Sequence, residues 1–262
     1  MIKLIVSDMD GTLLDSKHQL PPDFWEVFER LNQSGVLFTV ASGRSYAALV
    51  PIFEPFAQKL NYICDNGAFV MEENRLVYLK IIEKTLVDRL IAAGKEIPGI
   101  KMLFCGVRGT YHLSWGTPYD EELQKYYCKT QILSDLSKID DDIFKTAVLD
   151  LQGPENNCYP VFRSLFQKEL SILISGPYWV DIMSQGTEKG SALQAIQQKL
   201  GITPEETMAF GDYYNDVSML QRAKYSFVMA NANDDMKRFG NHMAKSNDEN
   251  GVTEAIKKWV LQ

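Results

Sequence analysis

The stretch that most constrains this chain is Leu4-Ile5-Val6-Ser7-Asp8-Met9-Asp10-Gly11-Thr12-Leu13-Leu14. Leu4, Ile5 and Val6 are an apolar, partly β-branched run of the kind that forms a buried strand. Asp8 and Asp10 follow where such a strand should stop. Gly11 permits a tight turn and close backbone approach, and Thr12 adds a hydroxyl. In an open parallel sheet, ligands bind beyond the carboxyl ends of the strands. Two acids placed there, one residue apart, repel each other unless a cation lies between them. That chemistry points to Mg²⁺, which takes a few oxygen ligands and keeps waters and a phosphate in its shell. An acidic turn without chemistry is the competing reading for an isolated Asp-x-Asp, so the decision rests on partners downstream.

With 262 residues, 45% hydrophobic and 23% charged, the chain has the composition of a globular protein with one large domain or two moderate ones. A net charge of −7 does not advertise a polyanion-binding surface, so nucleic acid is not an expected partner. A phosphate site must then be made locally positive by metal, Lys or Arg and backbone amides. Cys64, Cys105, Cys128 and Cys158 are too widely spaced to read as a zinc site or a disulfide framework. No apolar run approaches membrane-spanning length, and no leader is read ahead of the first strand. The expected compartment is a reducing cytoplasm, with neither a membrane nor a protein partner.

Leu14–Pro22 reads as a loop, and Phe24, Val27, Phe28 and Leu31 recur at helical spacing up to a break near Asn32–Gly35. Val36–Ala41 is a second buried strand ending at Ser42-Gly43-Arg44, which is predicted to open a helix that stops near Pro51 and Pro55. This β-α-β start implies a parallel sheet with right-handed crossovers. A hydroxyl and free amides at a helix N-terminus can hold a phosphate. Tyr62–Cys64 is a third strand running into Asp65-Asn66-Gly67, a turn signal, followed by a hairpin over 68–79. From about residue 83 the texture changes to loosely repeated helix-plus-strand units, with strands at 101–106, 109–113, 146–151, 171–175 and 178–184. That pattern predicts an α+β module with an antiparallel sheet. Lys189-Gly190 then opens a helix striped with Leu193, Ile196 and Leu200. Strand 207–210 ends in Gly211-Asp212-Tyr213-Tyr214-Asn215-Asp216, whose acids four apart share one helical face. Negative groups there could equally be N-terminal caps.

These segments, in this order, resemble the haloacid-dehalogenase superfamily. Asp8-Met9-Asp10-Gly11-Thr12-Leu13-Leu14 is similar to its first motif, Ser42-Gly43-Arg44 to its second, Lys189 to its third and Gly211-Asp212-x-x-Asn215-Asp216 to its fourth. Asn66-Gly67-Ala68 resembles a loop bordering the site of the Cof-type, sugar-phosphatase-like branch. The resemblance implies an α/β fold, with a Rossmann-like doubly wound parallel-sheet core over 1–82 and 185–262. An inserted α+β cap over 83–184 would exclude water and choose the substrate.

The resemblance also implies roles. Asp8 is the nucleophile that forms an aspartyl-phosphate, and Asp10 is the general acid and base. Asp8, Asp10 (through its backbone carbonyl), Asp212 and Asp216 hold Mg²⁺. Thr12, Ser42, Gly43, Arg44, Asn66, Lys189 and Asn215 surround the phosphoryl group, with Lys189 as a compact point charge. The implied activity is Mg²⁺-dependent hydrolysis of small phosphorylated metabolites, sugar phosphates first. A phosphomannomutase-like phosphomutase, and a ligand-sensing protein on the same scaffold, remain open alternatives. Arg108, Tyr111, His112, Trp115, Tyr119, Tyr178, Trp179 and Asp181 are the candidate substrate contacts of the cap.

Overall fold

The computed structural model describes residues 1–127 and 129–261. In chain order its elements are β1 (Leu4–Asp8), α1 (Phe24–Gln33), β2 (Leu37–Ala41), α2 (Tyr46–Leu49), β3 (Asn61–Cys64), β4 (Phe69–Glu72), β5 (Arg75–Leu79), α3 (Lys84–Lys95), β6 (Ile100–Gly106), β7 (Thr110–Leu113), α4 (Tyr119–Gln124), β8 (Gln131–Leu133), β9 (Ile143–Asp150), α5 (Cys158–Phe166), β10 (Leu170–Ile174), β11 (Trp179–Ser184), α6 (Lys189–Leu200), β12 (Thr207–Gly211), α7 (Val217–Leu220), β13 (Tyr225–Met229), β14 (His242–Ala244) and α8 (Gly251–Trp259). The chain divides into two compact units, Met1–Leu79 with Glu188–Gln262, and Lys80–Thr187.

The first unit is an eight-stranded sheet in the order β14-β13-β12-β1-β2-β3-β4-β5. Its strands from β14 through β3 are parallel, and β4 and β5 append an antiparallel hairpin. β1 lies centrally between β12 and β2, so it is covered on both faces, which is why Leu4, Ile5 and Val6 form an unbroken apolar run. Leu4 and Val6 pack with Leu193 and Ile196 of α6 and Met219 of α7. Phe24 and Phe28 of α1 meet Phe38 of β2 at ring separations of 5.5 and 6.4 Å. Apolar residues at helical spacing on α1 thus form one buried stripe. α6 stops at Gly201, which takes the left-handed conformation (φ 64°) that a glycine adopts without strain.

Two expectations fail in this unit. Ser42–Arg44 do not start a helix: α2 begins at Tyr46 and spans four residues before a 3₁₀ turn at Val50–Phe53. The segment after Gly211 likewise contains only a 3₁₀ turn, Tyr214–Asp216, and the four-residue α7. Neither offers the aligned dipole of a long helix, so an anion held there would depend on individual donors. β14 was not anticipated, because a three-residue strand carries no readable alternation.

The second unit is a six-stranded sheet in the order β10-β11-β9-β6-β7-β8. α3 and α5 bury Val87, Leu90, Phe162 and Phe166 against Met102, Phe104, Val148, Val180 and Ile182. These strand residues alternate with the opposite face, as period-two pleating requires. A Cβ on Gly94 would lie 2.0 Å from Met102 Sδ, so the glycine lets α3 approach β6 closely. Pairing is antiparallel except between β7 and β8, which is parallel. β8, with exposed Gln131 and Ile132, has no counterpart among the strands read from the sequence. Cys64 and Cys158 are buried free thiols, and Cys105 is buried as well. Cys128 lies outside the described residues. Among the described residues, no helix is long and apolar enough to cross a membrane.

Candidate active site

The carboxyl ends of β1 and β12, neighbours in the sheet, bring Asp8 beside Asp212 and Asp216. Each of the three offers a carboxylate oxygen within 4.8 Å of the others. Lys189, the first residue of α6, is fully buried among them and donates to Asp8 Oδ1 at 2.5 Å and to Asp216 Oδ1 at 2.6 Å. Its ammonium has no solvent to fall back on, so these two acids fix its position. Asp216 Oδ2 accepts the backbone N–H groups of Asp212 and Tyr213 at 3.0 and 3.1 Å. Both Asp216 oxygens are thereby engaged, and the residue braces its own loop and the lysine. A Cβ on Gly211 would lie 2.5 Å from Asp216 Cβ, which explains the glycine at the strand end.

Three carboxylates against one ammonium leave two net negative charges in a largely buried space. That excess makes ionising Asp8 costly. Burial and the charge of Asp216 push its carboxyl up, Lys189 pulls it down, Asp212 adds to the rise, and the outcome is about 8. Burial and Asp216 also raise Asp212. Lys189 is raised despite its burial, by Asp216 and Asp8, and stays an ammonium. A divalent cation bound by hard oxygen ligands matches this excess in both charge and donor type. The residues present therefore fit Mg²⁺, with Asp8 and Asp212 as the acids that retain oxygens for it.

The loop between β1 and α1 is shaped around this cluster. Thr12 Oγ1 donates to Asp212 Oδ1 at 2.7 Å, so the hydroxyl orients an acid where the sequence reading had it facing phosphate. Gly11, at φ 80°, lies against the same acid: a Cβ there would be 2.4 Å from Asp212 Oδ2. Asn231 Nδ2 donates to Gly11 O at 2.8 Å, tying the loop to the segment after β13. The side chain of Asp10 stands apart from the three clustered acids. It is half-exposed and takes Arg44 Nε and Nη2 at 2.9 and 2.5 Å, with His18 Nδ1 at 3.5 Å. Neither His18 nor Asn231 carried a sequence signal.

The loop after β2 and the turn after β3 interlock. Ser42 Oγ accepts the Arg44 N–H at 3.1 Å, which leaves its own O–H free to donate. Ser42 O accepts the Asn66 N–H at 3.0 Å, and Arg44 O accepts that of Asp65 at 3.1 Å. Asn66 is left-handed (φ 55°), and its Oδ1 accepts from Asn215 Nδ2 at 3.0 Å. Gly43 faces that amide: a Cβ there would sit 3.1 Å from Asn66 Nδ2. A Cβ on Gly67 would meet Glu188 O at 2.3 Å, so the turn after β3 also sets the start of α6. Asp8, Ser42, Asn66, Lys189, Asp212, Asn215 and Asp216 thus belong to one connected group of loops at the strand ends.

Several candidates in the second unit have structural work of their own. Tyr111 donates to Asp141 Oδ2 at 3.0 Å, and Arg108 is held by Asp140 and Asp141. Buried His112 bonds Leu113 O and Thr130 Oγ1 through its two ring nitrogens, and Trp115 lies 4.7 Å from its ring. Tyr119 donates to Gly99 O at 2.9 Å. Trp179 donates to Glu122 Oε1 at 3.2 Å. Tyr178 is exposed, and Asp181 lies on β11 opposite Ala147.

The family model for haloacid dehalogenase-like hydrolases matches residues 5–256. The 5-amino-6-(5-phospho-D-ribitylamino)uracil phosphatase YbjI of Escherichia coli is 29% identical, with 98% of this chain and 96% of its own covered. A protein of the same description from Bacillus subtilis, YcsE, is 26% identical over 99% of this chain and 96% of its own. A solved structure from Eubacterium rectale superposes with a TM-score of 0.92 at 28% identity, covering 99% of both chains.

Proposed function

This chain belongs to the haloacid dehalogenase-like hydrolases, in their Cof-type branch, and from that premise we propose a Mg²⁺-dependent phosphatase of small phosphorylated metabolites acting through Asp8. The observation that carries this reading is the group of three acids at the strand ends, two of which, Asp8 and Asp216, hold one buried lysine. Asp8 attacks phosphorus with one carboxylate oxygen, and the P–O bond to the leaving alcohol breaks as Asp10 gives that oxygen a proton. Asp10 then takes a proton from water, whose oxygen attacks the phosphorus of the aspartyl-phosphate. Inorganic phosphate leaves, and Asp8 is regenerated as a carboxylate. Lys189 neutralises charge beside the nucleophile, and the free O–H of Ser42 donates to an equatorial phosphoryl oxygen. Bound Mg²⁺ would be held by Asp8 and Asp212 and would supply electrostatic stabilisation of the transferred group.

Sugar phosphates are the first substrate class, and phosphorylated ribityl pyrimidines the second, since two relatives are named for such an ester. The inserted unit is proposed to choose between them, as caps in this branch do. The decisive experiment is hydrolysis of p-nitrophenyl phosphate with EDTA and with added Mg²⁺, followed by a panel of phosphorylated metabolites. We expect turnover that EDTA abolishes and Mg²⁺ restores. Undiminished turnover in EDTA would refute the metal dependence.

A further inference from the structure

The sequence reading gives Arg44 to the phosphoryl group, yet Nε and Nη2 of its guanidinium donate to Asp10. The fork takes both carboxylate oxygens, Nε on Oδ2 at 2.9 Å and Nη2 on Oδ1 at 2.5 Å. Such two-point contacts fix the plane of a carboxylate as well as its place. Arg44 is itself anchored at the backbone, by Ser42 Oγ on its N–H and by the Asp65 N–H on its carbonyl. The arginine thus carries the position of the second loop across to the acid of the first. His18, left-handed at φ 59°, adds its ring at 3.5 Å from Oδ1. Each Asp10 oxygen accepts once from Arg44 and keeps a second lone pair, where a transferable proton can reside.

We propose that Arg44 is a positioning residue for the proton-transferring Asp10, holding its carboxylate in the orientation that both proton transfers need, and is not a phosphate ligand. The inference rests on the phosphatase reading above. In the first half-reaction Asp10 gives its proton to the ester oxygen as that P–O bond breaks. In the second it takes one from the attacking water. A misplaced Asp10 damages the first half most when the leaving group is a poor one, because such an oxygen depends on being protonated as it departs.

The test compares p-nitrophenyl phosphate with phenyl phosphate, whose leaving phenoxide is far more basic. For Arg44→Met, kcat/KM should fall with both esters, and about tenfold or more further with phenyl phosphate, a part of the ~10²–10⁴-fold that acid–base catalysis supplies. Competitive inhibition by inorganic phosphate should stay as in the parent. Arg44→Lys keeps the charge but loses the fork, and should show the same bias to a smaller degree. In an Asp10→Asn background, Arg44→Met should cost no more than about twofold, because residues acting as one unit are not additive. Equal losses with the two esters, together with weaker inhibition by phosphate, would return Arg44 to the phosphoryl group and overturn the proposal. A parent protein that hydrolyses neither ester would overturn the phosphatase reading, and this inference with it.

Discussion

Both units bury carboxylates, but they satisfy them differently. In the second unit each stands alone with its own donors. Glu122 takes Lys125 on one oxygen and the Trp179 indole on the other. Fully buried Asp150 takes the Gln152 N–H and the Asn157 amide. Asp141 takes the Arg108 N–H and the Tyr111 hydroxyl. In the first unit Asp8, Asp212 and Asp216 crowd together, and the single ammonium of Lys189 pairs with only two of them, Asp8 and Asp216. The first pattern closes on itself and serves the fold. The second leaves charge unmatched, as a site does when a ligand completes it.

Substitutions can break this contrast. Lys189→Met should have the largest effect on stability, because it leaves two buried acids without their cation, a loss of about 3–5 kcal/mol. Unfolding in denaturant would measure it, and Mg²⁺ should recover part of the loss by taking over the charge. Thr12→Val removes the hydrogen bond that orients Asp212. The Mg²⁺ needed for half-maximal turnover should rise about 10- to 100-fold, with kcat largely recovered at saturation. Trp179→Phe strips one donor from Glu122 and should cost about 1–3 kcal/mol, with the Mg²⁺ requirement unaltered. A changed metal requirement in that variant would blur the distinction between the two units.

Much of the first unit could be read directly. The apolar run of β1 and the acids behind it are local, and Gly11, Gly67 and Gly211 mark close approaches that only glycine tolerates. The partners of long side chains could not be read. Arg44 reaches from the loop after β2 to the acid beyond β1, and Thr12 reaches the end of β12. Both meetings are set by the parallel order of the sheet, which a residue's immediate neighbours do not encode. In the second unit His112 and Trp179 are candidate substrate contacts from the sequence, which does not show what each ring bonds. The fold gives both buried rings structural partners, Thr130 for His112 and Glu122 for Trp179. The short strands β8 and β14 had too few residues to show a period.

Trapping the covalent intermediate tests the central claim most directly. The protein would be quenched in acid during turnover of p-nitrophenyl phosphate with Mg²⁺, and the peptide containing Asp8 examined by mass spectrometry. The account predicts one phosphoryl group on Asp8, absent in Asp8→Asn, whose kcat should be lower by about 10⁴-fold or more. A phosphoryl group on another residue, or an Asp8→Asn variant that turns over at the parental rate, would contradict it.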